Sequence, residues 1–212
     1  MKKLIYNKFD KATISNLQKV VFPGRIIVVV SPEEAERAVD YLLTQTVLGF
    51  DTETRPSFHR GEHFSCSLLQ VATADCCFLF RLNYIGMAPA IVRLLGDQTV
   101  TKVGLAWNND MLSLRQLGSF KAGMFVDLQN LVREIGIEDQ SLVKIYANLF
   151  GERISKTERL SNWERDILKG SQKAYAAIDA WACVRIYQEV MRLKESGDYE
   201  LVIAPEINQI EE

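Results

Sequence analysis

Val47-Leu48-Gly49-Phe50-Asp51-Thr52-Glu53 reads as a strand that carries two acids. Alternate residues of a strand share a face, so Asp51 and Glu53 point the same way, beside Gly49, while Leu48 and Phe50 point to the other side. Carboxylates that share one face of an apolar strand repel each other and resist burial. A strand of this kind either ends at Phe50, leaving both acids in water at its mouth, or holds a cation between them. A hard divalent ion with oxygen ligands suits the second case.

The strand sits in an alternating pattern. Residues 24–30 end in the β-branched run Ile26-Ile27-Val28-Val29-Val30 and read as a buried strand. Ser31, Pro32 and Glu34 have the spacing of a capped helix start, and that helix is expected to reach about Leu43. Residues 66–73 and 76–80 read as two strands joined by a turn at Ala74-Asp75. A helix over 85–95, a strand over 101–105, a helix over 109–117 and a short strand over 125–127 follow, with Asp127 as the cap of the next helix. Beyond residue 128 the pattern is almost wholly helical. Ser161 and Glu164 suggest a second capping box, and 172–193 is a long alanine-rich helix. This order predicts an α/β fold, a mixed sheet covered by helices. With 212 residues, 48% of them apolar, and no Pro/Gly-rich linker, one domain over 1–212 is expected, with a core over about 25–195 and an acidic tail over about 196–212 that lacks a clear period.

Two further acids draw attention. On the long helix, Tyr175, Asp179, Ala182, Ile186, Val190 and Leu193 follow the 3.6 period, so Asp179 falls on an otherwise apolar stripe. Tyr175 lies one turn earlier and reaches the same neighbourhood. A salt bridge to an unseen Lys or Arg would also satisfy Asp179. Asp110 follows the strand Val103-Gly104-Leu105 at a helix start, where the helix dipole alone favours an acid.

Taken together, the strand pair Asp51-x-Glu53, the later Asp110 and the helical pair Tyr175-x-x-x-Asp179 resemble the three exonuclease motifs of the DEDD superfamily in its tyrosine subclass. The resemblance extends to Phe50-Asp51-Thr52-Glu53, to Ser67-Leu68-Leu69-Gln70-Val71-Ala72, and to Lys102-Val103-Gly104 with Asp110 and Leu114. It also takes in Lys156, Leu160-Ser161-Asn162-Trp163, Gln172 and Tyr175-Ala176-Ala177-Ile178-Asp179-Ala180. It covers about residues 25–195 and is nearest to the ribonuclease D and Werner-syndrome exonuclease branch. The second motif departs from the common form just before Asp110, and the loop 54–64 is particular to this chain. No segment resembles a helicase, a polymerase or the ribonuclease D accessory domain, so a stand-alone domain is expected.

The resemblance implies a ribonuclease-H-like fold and a 3′–5′ exonuclease that uses two Mg²⁺ or Mn²⁺ ions. Two metals roughly 4 Å apart can activate a water and stabilise the leaving oxygen. By the same resemblance Asp51 bridges the ions, Glu53 and Asp179 complete the site that activates water, Asp110 holds the second ion, and Tyr175 positions the water. Thr52 is expected against the terminal nucleotide, with Lys156 and Arg159 on phosphates. Phe58, Phe64 and Trp107 are aromatic candidates for stacking on the last base, with surface or core packing the favoured alternative for each. The expected substrate is a 3′ end, single-stranded or at the terminus of a duplex, with DNA ahead of structured RNA. A nucleic-acid-binding module without turnover is the reading from another class.

Net charge is −2, so any electrostatic attraction to nucleic acid must be local. From Lys144 to Lys173 there are seven basic and four acidic residues, whereas the chain from Glu195 onward has six acidic residues and no basic one. His59 and His63 have helical zinc spacing but lie in a loop without a third ligand. Trp163 is expected as a packing anchor, and Glu138 and Asp139 as solvated turn residues. Cys66, Cys76, Cys77 and Cys183 form no C-x-x-C pair. With no secretory signal or membrane span apparent, a reduced, cytoplasmic protein without an obligate protein partner is expected.

Overall fold

The computed structural model describes residues 2–204. Its centre is a six-stranded mixed sheet of β3 (Arg25–Val29), β4 (Val47–Thr54), β5 (Cys66–Ala72), β6 (Cys76–Arg81), β7 (Thr101–Gly104) and β8 (Phe125–Asp127), in the order β3-β6-β5-β4-β7-β8. The strand β5 runs antiparallel to β4 and β6, while β3 joins β6, β7 joins β4 and β8 joins β7 by parallel pairing. One face is covered by α2 (Pro32–Leu42), α4 (Pro89–Gly96) and α5 (Asn108–Leu117). The other is covered by α6 (Leu128–Arg133), α7 (Leu142–Phe150) and α8 (Gly170–Ser196). Each face therefore has its own apolar core, as a sheet with both sides buried requires.

The expected strands and most helices appear near their expected bounds. Ser31 accepts from the Glu34 backbone at 3.2 Å while the Glu34 carboxylate accepts from Ser31 at 3.3 Å, so the first capping box forms. Asp127 caps α6 by accepting from the Gln129 backbone at 2.9 Å. The tight turn between β5 and β6 is tied by Thr73, whose hydroxyl meets Asp75 at 2.9 Å.

Several expectations need correction. The β-branched run of β3 lies at the sheet edge, so Ile27 and Val30 remain 37% and 47% exposed. The single helix expected over 85–95 is two pieces, α3 (Leu82–Ile85) and α4, divided by Gly86 at φ +56°. The second capping box does not start a helix. Ser161 instead donates to Glu158, the Glu164 amide goes to Asn162, and Arg81 takes the carbonyls of Arg165 and Asp166. Local side chains and the distant Arg81 thus hold this segment in turns and bends, and α8 begins only at Gly170. Trp163 is fully buried in the segment, as its anchoring role demands. Asp139 is also buried, accepting from the Phe9 amide at 2.7 Å and from Lys144 at 3.0 Å, so it is not a solvated turn residue.

The terminal segments pair with the body of the protein. The strand β1 (Lys3–Tyr6) runs parallel to β10 (Tyr199–Val202), so the start of the expected tail is ordered by backbone pairing. Residues 205–212 of that tail lie outside the described residues. A short helix, α1 (Lys11–Ile14), is capped by Asp10, and β2 (Gln18–Lys19) pairs with β9 (Glu152–Arg153). Among the described residues no helix is long and apolar enough to cross a membrane.

Candidate active site

The site forms where α8 crosses β4. The contact point is Gly49, since a Cβ there would collide with the Ala180 carbonyl. Ala176, Ala177, Ala180 and Ala182 line the buried side of the helix with small side chains, which permits the approach. Because Asp51 is two residues beyond Gly49 on the same face, and Asp179 adjoins Ala180, the crossing forces their carboxylates together. One oxygen each from Asp51, Glu53 and Asp179 lies within 4.8 Å of the others.

The carboxylates disturb one another strongly. Burial, then the charges of Asp179 and Asp110, push Asp51 well above the usual carboxylate range. Burial followed by Asp51, Asp179 and Asp110 pushes Glu53 up to about 10, with Arg159 opposing. Burial raises Asp179 to about 7, against a hydrogen bond from Tyr175 and the charge of Lys156. The Tyr175 phenol is itself pushed upward by burial and by Asp179 and Glu53, which keeps it protonated at neutral pH. Together these are the signature of a site short of positive charge.

Asp110 stands slightly apart. Thr52 lies between Asp51 and Glu53 on the strand, and its hydroxyl donates to Asp110. The Thr52 amide donates to Asp51 at 2.9 Å. Burial raises the Asp110 carboxyl, and the bond from Thr52 restrains the rise. Asp110 is close enough to raise Asp51 and Glu53 but does not join their ligand oxygens. The turn before it is tightly held. Ala106 adopts φ +56°, and its amide and that of Trp107 both donate to Asp127, at 3.1 and 3.3 Å.

A cleft of about 340 Å³ opens over the acids, lined by Asp51, Tyr175 and Asp179 with Lys156 and Arg159 among its other walls. Trp107 is not part of it. Its ring is 6% exposed and packs on Phe50 and Phe125 at centroid distances of 5.7 and 5.0 Å. Gly104 leaves room for the indole, so Trp107 is a core aromatic with no free face for a base. Phe64 lies under the Arg55 guanidinium at 4.4 Å, whereas Phe58 is 71% exposed. His59 and His63 are exposed and belong to no metal-binding group among the described residues.

One residue at the site had no role assigned from sequence. Gln70 pairs with Asp51 across the β4–β5 ladder, so the two side chains share a face. It is fully buried, and neither amide atom has a partner. The visible signal was a lone amide in the apolar run Leu68-Leu69-Gln70-Val71.

A family model described as 3′-5′ exonuclease matches residues 26–194. The mouse bifunctional 3′-5′ exonuclease/ATP-dependent helicase WRN is 29% identical over 207 residues, covering 93% of this chain and 14% of that protein. The chain therefore spans a small part of that relative's length. The solved EXO domain of Aedes aegypti Nibbler superposes with a TM-score of 0.73 at 22% identity, covering 82% of this chain and 91% of that one. Escherichia coli RNase D, an exoribonuclease involved in structured RNA processing, superposes with a TM-score of 0.72 at 19% identity, covering 80% and 45%. The layered mixed sheet described above is thus the ribonuclease-H-like exonuclease fold.

Proposed function

The chain belongs to the 3′–5′ exonuclease domain family, and from that premise we propose that it hydrolyses phosphodiester bonds from the 3′ end of a nucleic acid, releasing nucleoside 5′-monophosphates. The observation that carries this reading is the trio of mutually destabilised carboxylates, with oxygens within 4.8 Å, of which Asp51 and Asp179 line an open cleft.

The donor set fits a hard divalent cation. It is all oxygen, carries several negative charges and lacks a compensating Lys or Arg inside the trio. We propose that Asp51, Glu53 and Asp179 hold one of two Mg²⁺ or Mn²⁺ ions, and that Asp51 with Asp110 holds the other. Such ions, when bound, lower the pKa of a coordinated water and neutralise charge on the leaving oxygen.

The remaining work falls to the protein. Tyr175 stays protonated, so its phenol acts as a hydrogen-bond donor that orients the attacking water and does not serve as a base. Lys156 and Arg159 sit where they draw a phosphate toward the acids. Thr52 orders two of the carboxylates from between them and is proposed to border the terminal nucleotide. DNA is the first substrate to test. The RNA named for the E. coli neighbour makes RNA the second arm. The same proposal takes residues 1–212 as one exonuclease domain that works without an obligate protein partner. It places the domain in a reducing, cytoplasmic setting, where its four free, buried cysteines suit the redox conditions.

A titration tests the metal centre apart from turnover. Calorimetry with Mn²⁺ should give saturable binding to the unaltered protein and strongly weakened binding to Asp51→Asn. Equal binding by both would remove Asp51 from the site, and full exonuclease turnover by Asp51→Asn would overturn the assignment.

A further inference from the structure

A second groove adjoins the acidic cleft and has the opposite electrical character. It encloses about 440 Å³ between α1, the start of α7 and the end of β9. Its walls carry four cations, Lys11, Lys144, Arg153 and Lys156, and no carboxylate. The two cavities share Ser141, Val143, Ile154 and Lys156 as lining, so they form one continuous trough. Acids occupy one end and cations the other.

The cations are largely uncommitted. Among the described residues, Lys11, Arg153 and Lys156 make no ion pair, and only Lys144 is partnered, by Asp139 at 3.0 Å. The nearby Asp10 is occupied by the Ala12 amide and the Thr13 hydroxyl at the start of α1. Between the charges the floor is apolar, formed by Ile14, Val143 and Ile154. Cations along an apolar floor match the two halves of a nucleic-acid strand, phosphates to the rim and a base or sugar to the floor.

The near wall comes from outside the matched exonuclease region, which begins at residue 26. The N-terminal segment is clamped in place. The β2–β9 pairing joins it to residues 152–153, and Arg153 donates to the Leu17 carbonyl at 2.9 Å. Lys11 is thereby held beside the trough and does not trail from a loose terminus.

We infer that this groove carries the single strand on the 5′ side of the cleaved nucleotide, with the N-terminal segment supplying one bank. The inference rests on the exonuclease reading of the acidic cleft. It makes affinity depend on strand length. A dinucleotide reaches only the cleft, whereas a longer strand also fills the groove.

The test compares the unaltered protein with Lys11→Glu, and with Lys11→Glu combined with Arg153→Gln. Lys11 is exposed at the first position of α1 and makes no side-chain hydrogen bond among the described residues, so its reversal leaves folding intact. Binding of a 5′-labelled strand of about 20 nucleotides is followed by anisotropy in Ca²⁺ across a salt series, and degradation of that strand and of a dinucleotide is followed in Mn²⁺. The double variant should lose at least tenfold in affinity for the long strand. Its salt slope should flatten by about 0.7 for each phosphate contact removed. Its loss of kcat/KM on the long strand should exceed that on the dinucleotide by a similar factor. Unchanged long-strand affinity and slope would overturn the groove, whatever the activity. A protein that degrades neither substrate, yet loses strand affinity on these substitutions, would overturn the exonuclease reading and leave the groove standing.

Discussion

Asp179→Asn should make the metal-free protein more stable while disabling it. The native carboxyl titrates near 7, against an ordinary value of 3.8, chiefly because it is buried. Between those values the native state holds a proton that the unfolded state has lost, so stability falls as pH rises through the window, and the penalty is complete above the native value. At about 1.4 kcal/mol per unit, the penalty approaches roughly 4 kcal/mol at pH 8 and is roughly 1–2 kcal/mol at pH 5. Asparagine keeps the shape and removes the charge. It also relieves Asp51, which Asp179 pushes upward. Urea denaturation in chelator should therefore show the variant more stable at pH 8, with the gain shrinking toward pH 5. Added Mn²⁺ should then favour the unaltered protein, which gains about 2.7 kcal/mol when the ion stands at a hundred times its Kd. A variant no more stable than the parent at pH 8, or a gain that does not shrink with falling pH, would refute the argument that the charge cluster destabilises the empty fold.

Three other substitutions probe the surroundings of the site. Ala106 holds a positive φ at the turn before Asp110, so Ala106→Gly should stabilise the fold by up to about 1 kcal/mol in urea, and a loss of stability would show that no strain is stored there. Gln70→Met removes a buried amide whose atoms have no partner and should raise stability in chelator by about 1–3 kcal/mol, whereas a fall would mean the amide is satisfied in solution. Trp163 is fully buried against Tyr175, with ring centroids 6.0 Å apart, so Trp163→Ala should cost about 3–5 kcal/mol in thermal or urea unfolding, and a cost under 1 kcal/mol would remove its anchoring role.

How much of this was legible in the sequence depends on the range of the interactions involved. The period-2 pattern around Asp51 and Glu53 and the 3.6-period stripe around Asp179 are local, and the structure brings those three acids together with Tyr175 nearby. What was missed depends on contacts distant in sequence. The register that sets Gln70 opposite Asp51 is a property of two strands, and neither strand alone reveals it. Ser161 and Glu164 carry the residues of a helix cap, but Arg81, some 80 residues earlier in the chain, takes the carbonyls that follow. Trp107 read as a possible stacking ring because its burial under Phe50 and Phe125 depends on the sheet closing around it. The pairing of β1 with β10 joins opposite ends of the chain, and neither segment has enough period to announce it.

The most direct test of the central claim is degradation of 5′-labelled DNA and RNA of one sequence, with Mg²⁺ or Mn²⁺ and with chelator. The account predicts a ladder that shortens from the 3′ end only when metal is present, is lost in Asp51→Asn, and runs faster on one polymer, which identifies the substrate. Intact strands of both polymers in the presence of bound metal, or shortening that persists in chelator, would contradict it.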